Sequence, residues 1–410
     1  MTTAYDGRTG LRHDADFRRY WLARVASLTG SLVTAVAMPV LIYRLTGSAF
    51  LTALVTTLEA VPYAVFGLFA GAVGDRWDRR RVMVLSDAAN VLVIGSVPLA
   101  WSFDALTAAH ALVAAFLAQT LFTFFDGANF GALPVLVGRD RVAEGNAAIW
   151  AAGGVLDLAV PAAVGLALTV LHPAELLVVD ALSFAVSVVL VRAIARPLSA
   201  AREAGSTATT LLGDVGVGVR YLLGHAGVRS MTVTGALQSI AGAGFMGLAV
   251  VWCDRVLDIG TSGWRFGLLF SVWGIGGIAA SWLVPRALRR TSATRLTLVA
   301  IPLSGASGVC VAVSTDWALA VLGMVVWGIA YQTVLLGTLT YRQQVAPEHL
   351  LSRVNTAARM VSWGIGWPVG ALAGGVLAAR LGVREALIVV VCVGVLAAVF
   401  AWTSPLRREV

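Results

Sequence analysis

Apolar residues fall in twelve runs of membrane-spanning length, and the polar residues between them gather in short clusters. The runs lie near 20–43, 50–73, 82–102, 107–137, 146–171, 174–194, 230–253, 265–288, 294–314, 317–341, 356–379 and 385–403. About 20 consecutive apolar residues cross the hydrocarbon core as a helix. Backbone groups in lipid must bond to one another, which leaves helices or closed barrels as the spanning forms. Each run therefore predicts a transmembrane helix, and the chain an all-α polytopic membrane protein. The fourth run is long enough to tilt or to extend beyond the bilayer.

The polar clusters set the topology. Taken in alternation from the N-terminus, one set of loops carries 24 arginines and the other five: Arg44, Arg255, Arg265, Arg380 and Arg384. Arginine in short loops marks the cytoplasmic side, so both termini are expected there. The Arg-bearing N-terminus leads straight into a full-length span, expected to act as its own signal anchor without a cleavable leader. The one substantial polar stretch, 195–229, divides the chain into 1–194 and 230–410. Its first part, 199–210, is small and polar and reads as a linker. Its second part, 211–231, places Leu212, Val215, Val219, Leu222 and Leu223 near helical spacing, which predicts an amphipathic helix at the membrane surface. The two large parts echo each other at an offset of about 210 residues: 138–147 matches 347–356, 76–81 has a degenerate counterpart at 285–290, and Phe17-Arg18 pairs with Val228-Arg229.

Between the second and third runs stands Gly71-Ala-Val-Gly-Asp75-Arg76-Trp-Asp78-Arg79-Arg80-Arg81. This segment resembles the signature loop of the major facilitator superfamily, roughly G-x-x-x-D-R-x-G-R-R/K. Gly71, Asp75, Arg76, Arg79 and Arg80 stand at the matching positions, and Asp78 replaces the second glycine. Phe17-Arg-Arg-Tyr-Trp21, Phe125-Asp126 with Leu133-Pro134, Asp180-Ala-Leu-Ser-Phe184 and Gly218-Val-Arg220-Tyr-Leu are similar to one bacterial exporter subgroup, the macrolide-efflux and enterobactin-exporter type. The resemblance covers essentially the whole chain. It implies twelve helices in two six-helix halves that rock in alternating access, a location in the bacterial cytoplasmic membrane, and a monomer. In that reading Asp75 accepts hydrogen bonds from arginines and sits against a helix N-terminus of the other half. Gly71 lets helices approach closely, and the loop acts as a conformational latch. The plainer alternative, a solvated basic loop that only enforces topology, accounts for the arginines alone.

Composition narrows the classes further. Charged residues are 13% of the chain, against about 25% in average soluble domains. The net charge of +8 is distributed through the loops, which accounts for it without a nucleic-acid partner. Cys253, Cys310 and Cys392 lie in or beside apolar runs without metal spacing. The five histidines sit at loops or span edges with no nucleophile–base arrangement. No metal, cofactor or catalytic role is expected.

Ionisable groups inside spans are costly and mark function or helix pairing. Arg24, Glu59, Asp126, Asp157 and Asp180 all fall in the first six runs. If protons drive transport, the expected carrier is Glu59, Asp126 or Asp157. Glu59 precedes Pro62 by three residues; its alternative is a permanent ion pair with Arg24. Asp157 lies four residues before Pro161, in a run resembling a degraded form of the Gly-Pro motif of drug/proton antiporters. Those antiporters carry an arginine in span four; none stands there in this chain, and Arg24 is the substitute. Asp126 and Asp180 are read chiefly as hydrogen-bonding links between helices. Gln238, Phe245, Trp273, Trp327, Tyr331 and Gln332 are candidates to line a roomy apolar cavity, while the glycines of 274–277 and 366–375 suit close helix packing. The function expected is proton-driven export of an amphiphilic small molecule: a drug, a secondary metabolite or a siderophore. Uptake of a small nutrient by symport calls for more polar groups in the later spans. A non-transporting sensor or scaffold fits the short loops poorly.

Overall fold

The computed structural model describes residues 10–199, 211–347 and 350–409. The side chains of Asp75, Arg139, residues 211–215, Ser352 and Glu409 lie outside that description, as do the backbone of 200–210 and hence most of the expected polar linker. Among the described residues, twelve helical stretches are long and apolar enough to cross a bilayer, and they occupy the twelve predicted runs. The first six are α1 (Ala15–Thr46), α2 (Ala49–Arg76), α3 (Arg79–Ser102), α4 (Ala108–Val137), α5 (Val142–Ala167) and α6 (Pro173–Arg192). A shorter helix, α7 (Leu211–Gly224), precedes α8 (Ala226–Arg255), α9 (Trp264–Ala287), α10 (Ala293–Val313) and α11 (Trp317–Val345). The eleventh span is composite: α12 (Leu351–Arg359), a π-helical segment (Met360–Gly366) and α13 (Trp367–Leu381). α14 (Val383–Thr403) closes the bundle.

Several helices begin before the apolar run because a polar side chain caps them. Asp14, Ser48, Asp78, Thr107, Ser292 and Asp316 each accept a backbone N–H from the first turn that would otherwise be unbonded. Prolines stand inside α1, α2, α3, α4, α5, α9 and α10, a placement that transmembrane helices tolerate.

α1 packs on α5 and α6, α2 on α4, and α3 on α4 and α6. In the later spans α8 packs on α13 and α14, α10 on α11 and α14, and α9 on α11. The two sets meet chiefly along α5–α9 and α2–α13. Where they meet, small residues let backbone touch backbone: a Cβ at Gly267 would stand 2.9 Å from the Ala162 Cα, and one at Gly165 would fall on Gly267. The amphipathic segment does more than lie on a surface. α7 packs on α12, with Gly218 against the Arg353 backbone and the Tyr221 hydroxyl donating to the Val345 carbonyl at 3.3 Å.

Candidate functional site

The turn between α2 and α3 marks one end of the bundle. α2 continues as helix through Asp75 to Arg76, Trp77 is extended, and Asp78 caps α3 by accepting from the Arg81 N–H at 2.8 Å. The aspartate in place of the second glycine thus starts a helix. Arg79 folds back, donating from Nε to the Gly74 carbonyl at 3.0 Å and from Nη1 to the Gly131 carbonyl at 2.9 Å. Arg80 donates to the Arg196 carbonyl at 2.5 Å. Arg196 in turn bonds the carboxylates of Asp14 and Asp16 at the start of α1. Arg76 is exposed, and the side chain of Asp75, the centre of the expected latch, lies outside the described residues. Gly71 needs correction: a Cβ there would meet nothing within 4 Å. The close approach falls one turn on, where a Cβ at Gly74 would stand 2.8 Å from the Gly127 carbonyl oxygen, because α2 and α4 cross there.

At the opposite end, hydrogen bonds join the two sets of helices. The Tyr43 hydroxyl donates to Asp254 Oδ2 at 2.6 Å and accepts from Arg255 Nε at 3.0 Å. Arg255 also donates to the Gly47 carbonyl at 2.7 Å, and Arg44 donates to the Thr261 hydroxyl at 3.1 Å. A backbone bond, Gly263 N–H to the Gly165 carbonyl, spans 2.6 Å. Nearer the signature turn no hydrogen bond between the two sets is found among the described residues: a Cβ at Gly154 would meet Ile278 at 3.4 Å, one at Gly364 the Ala64 Cα at 3.3 Å, and Arg359 stands over the Tyr63 ring at 5.3 Å. The bundle is therefore tied most firmly at the end away from the signature turn. Sequence reading passed over Tyr43, Asp254 and Arg255 because each sits at a span edge, where polar residues are ordinary; the signal was that all three flank the arginine-poor loops.

The expected intramembrane groups do not form one site. Glu59 is half-buried and has no ion-pair or hydrogen-bond partner among the described residues, so the permanent Glu59–Arg24 pair is not formed. Arg24 instead stands over Phe125 at 5.3 Å and, with Asp126, next to Tyr20, whose hydroxyl donates to Asn129 at 2.5 Å. Asp126 also lies within electrostatic reach of Tyr63. Asp157 is exposed on α5, where a Cβ at Gly274 of α9 would stand 3.2 Å from its Cβ. Asp180 links helices as read, accepting from Thr34 Oγ1 at 2.5 Å. Two buried groups of α3, Asp87 and Asn90, escaped the sequence reading. Their signal was a polar pair three residues apart, on one face of an otherwise apolar run.

The aromatic candidates come together, but packed on one another in the core and not around a roomy cavity. Phe245 meets Trp327 edge-on at 4.9 Å between ring centres, Trp327 meets Trp273 at 5.4 Å, and Trp273 meets Tyr331 at 5.2 Å. Phe245, Trp327 and Tyr331 are buried within this wall, together with Gln238, whose amide donates to the Tyr331 carbonyl at 2.8 Å. Trp273 and Gln332 are half-buried at its margin, beside the α5–α9 crossing that carries Asp157.

A family model described as transmembrane secretion effector matches residues 8–409. The multidrug efflux pump Tap of Mycolicibacterium fortuitum is 24% identical over 396 residues, covering 94% of this chain and 95% of its own. The enterobactin exporter EntS of Shigella boydii is 32% identical over 135 residues, about a third of each chain. In fold, the chain is similar to a bacterial homologue of the human lysosomal transporter Spinster, solved inward-facing and unoccupied. The TM-score is 0.73, with 14% identity and 97% of each chain covered. Twelve spans, a signature turn at one end, a tie at the other and a family match over nearly every residue agree: this chain belongs to the transmembrane secretion effector family, and is a multi-pass secondary transporter of the major facilitator type, not an enzyme.

Proposed function

We propose that this transporter exports amphiphilic small molecules across the bacterial cytoplasmic membrane in exchange for protons. It works as a monomer, by rocking of the halves 1–194 and 230–410 about the linker 195–229. The observation that carries the reading is the exposed Asp157 carboxylate at the α5–α9 crossing, one residue along from the edge of the aromatic wall at Trp273. An exposed carboxylate near an apolar aromatic wall suits a molecule with an apolar body and a cationic group. The relatives named for efflux of drugs and export of enterobactin support the outward direction. The arginine bias supports a cytoplasmic signature turn. The tied end is then the outer one, and the arrangement corresponds to an exporter open for loading from inside.

The test is ethidium accumulation in cells carrying the transporter or an empty vector. Wild type lowers accumulation several-fold, a protonophore abolishes the difference, and Asp157→Asn weakens it. Equal accumulation with and without the protein, for ethidium and for neutral and anionic amphiphiles alike, overturns the reading.

A further inference from the structure

A polar seam runs through the interface of α1, α3 and α6, away from the aromatic wall. Asp87 and Asn90 of α3 are 1% and 0% exposed, and Asp180 of α6 is 2% exposed. Asp87 faces Ser187 of α6, Arg24 of α1 and Asp180. Asp180 accepts from Thr34, and the Ser183 hydroxyl stands 3.3 Å from its Oδ1. Gly30 makes room for the seam, since a Cβ there would overlap Ser183 and Asp180. The helices are long enough to set this well inside the bilayer. At 1.5 Å per residue, Asp87 lies about 12 Å along α3 from the signature turn, and Asp180 about 18 Å from the same end of α6.

The seam is not fully bonded. Both polar atoms of the Asn90 amide and Arg24 Nε are enclosed without a hydrogen-bond partner, and Asp87 Oδ2 has no partner beyond the facing Ser187 hydroxyl. Native interiors leave few such groups, and these gather around two carboxylates. Those carboxylates bring two negative charges against the single positive charge of Arg24. From α4, the ionisable groups nearest the seam are Asp126, which shares the surroundings of Arg24 and Tyr20, and His110, which pairs with Ser96 further along α3 at 2.9 Å. Neither supplies the second positive charge. A metal cation fits poorly beside a guanidinium, and among the described residues no cluster of three metal-ligating side chains forms. A proton needs no such cluster.

We infer that Asp87 and Asp180 share one exchangeable proton, and that this pair, not Glu59, couples protons to transport. The inference rests on the proton-driven reading above. When the proton binds, the seam loses one negative charge and its hold on Arg24 weakens. The guanidinium is then held chiefly by Asp126 and Tyr20, which already share its surroundings. Loss of the proton reverses the shift. Arg24 thereby links a buried proton to the packing of α1 against α4.

The test has two arms on the purified full-length chain. In infrared spectra, wild type at neutral pH shows the carbonyl stretch of a protonated carboxyl group, which disappears as pH is raised. Asp87→Asn and Asp180→Asn each lose that band, and Asp87→Glu keeps it; monodisperse elution of each variant confirms folding. In proteoliposomes given external ethidium, both Asn variants lose about tenfold or more of the accumulation driven by a pH gradient. A band that survives both Asn substitutions, or that vanishes in Glu59→Gln instead, overturns the inference. So does accumulation driven by a sodium gradient alone. If wild type moves no ethidium while the band behaves as expected, the proton site stands and the export reading falls.

Discussion

The Tyr43 hydroxyl joins α1 to α8 through one oxygen, giving a hydrogen bond to Asp254 and taking one from Arg255. Removing it deprives a half-buried carboxylate and an exposed guanidinium of one bond each, a loss of about 1 kcal/mol because water reaches both. Tyr43→Phe is therefore expected to weaken this tie, which the proposed topology puts on the outer side. A cysteine placed at Asp157 should then react faster with a membrane-impermeant maleimide added from outside; an unchanged rate refutes a sealing role for Tyr43. Arg79 shows how far residue type alone could be read. Its place in the signature was legible, but its partners, the Gly74 and Gly131 carbonyls, depend on the crossing of α2 and α4. Gly71 was assigned the close approach by pattern, and the helix phase gives it to Gly74 and Gly127. Asp87 and Asn90 were missed because weighing single charges in apolar runs overlooks which polar residues share a face.

Helix ends carry two further predictions. Asp78 caps α3, and Asp78→Ala removes a bond worth about 1 kcal/mol, so the thermal midpoint falls; Asp78→Gly, which restores the superfamily residue, should cost less. At the start of α6, His172 Nδ1 accepts from the Ala174 N–H while the Glu175 carboxylate accepts from the His172 N–H at 2.7 Å. Burial, and then the nearby Arg44 guanidinium, hold its imidazole below the usual value of 6.5. The neutral ring is the folded form, so this contribution is complete above about pH 6.5 and is lost as pH falls through the lower folded value. Thermal stability should drop on acidification by less in His172→Gln than in wild type. The composite eleventh span was not legible. A run of apolar residues predicts a helix but does not distinguish α from π winding, and the π segment stacks Trp363 on Trp367 at 5.0 Å. Such segments often stand at functional positions.

For the whole molecule, the twelve spans were legible because lipid admits few backbone solutions and each run had to become a helix. The pairing of α5 with α9 and α2 with α13 was not, since it depends on which small residues meet. If rocking about these contacts moves substrate, fixing the outer end stops it. In a chain with Cys253, Cys310 and Cys392 replaced by alanine, Arg44→Cys with Thr261→Cys should lose transport on treatment with a short bifunctional maleimide. Each single cysteine should keep its activity, and full transport after cross-linking would refute the closure. The bond between the Gly263 N–H and the Gly165 carbonyl has a different consequence. No side chain takes part, so side-chain substitution cannot delete it, and a bulkier residue at 165 would press on Gly267. An inhibitor that wedges this backbone clasp would confront a feature that resistance mutations have little room to alter.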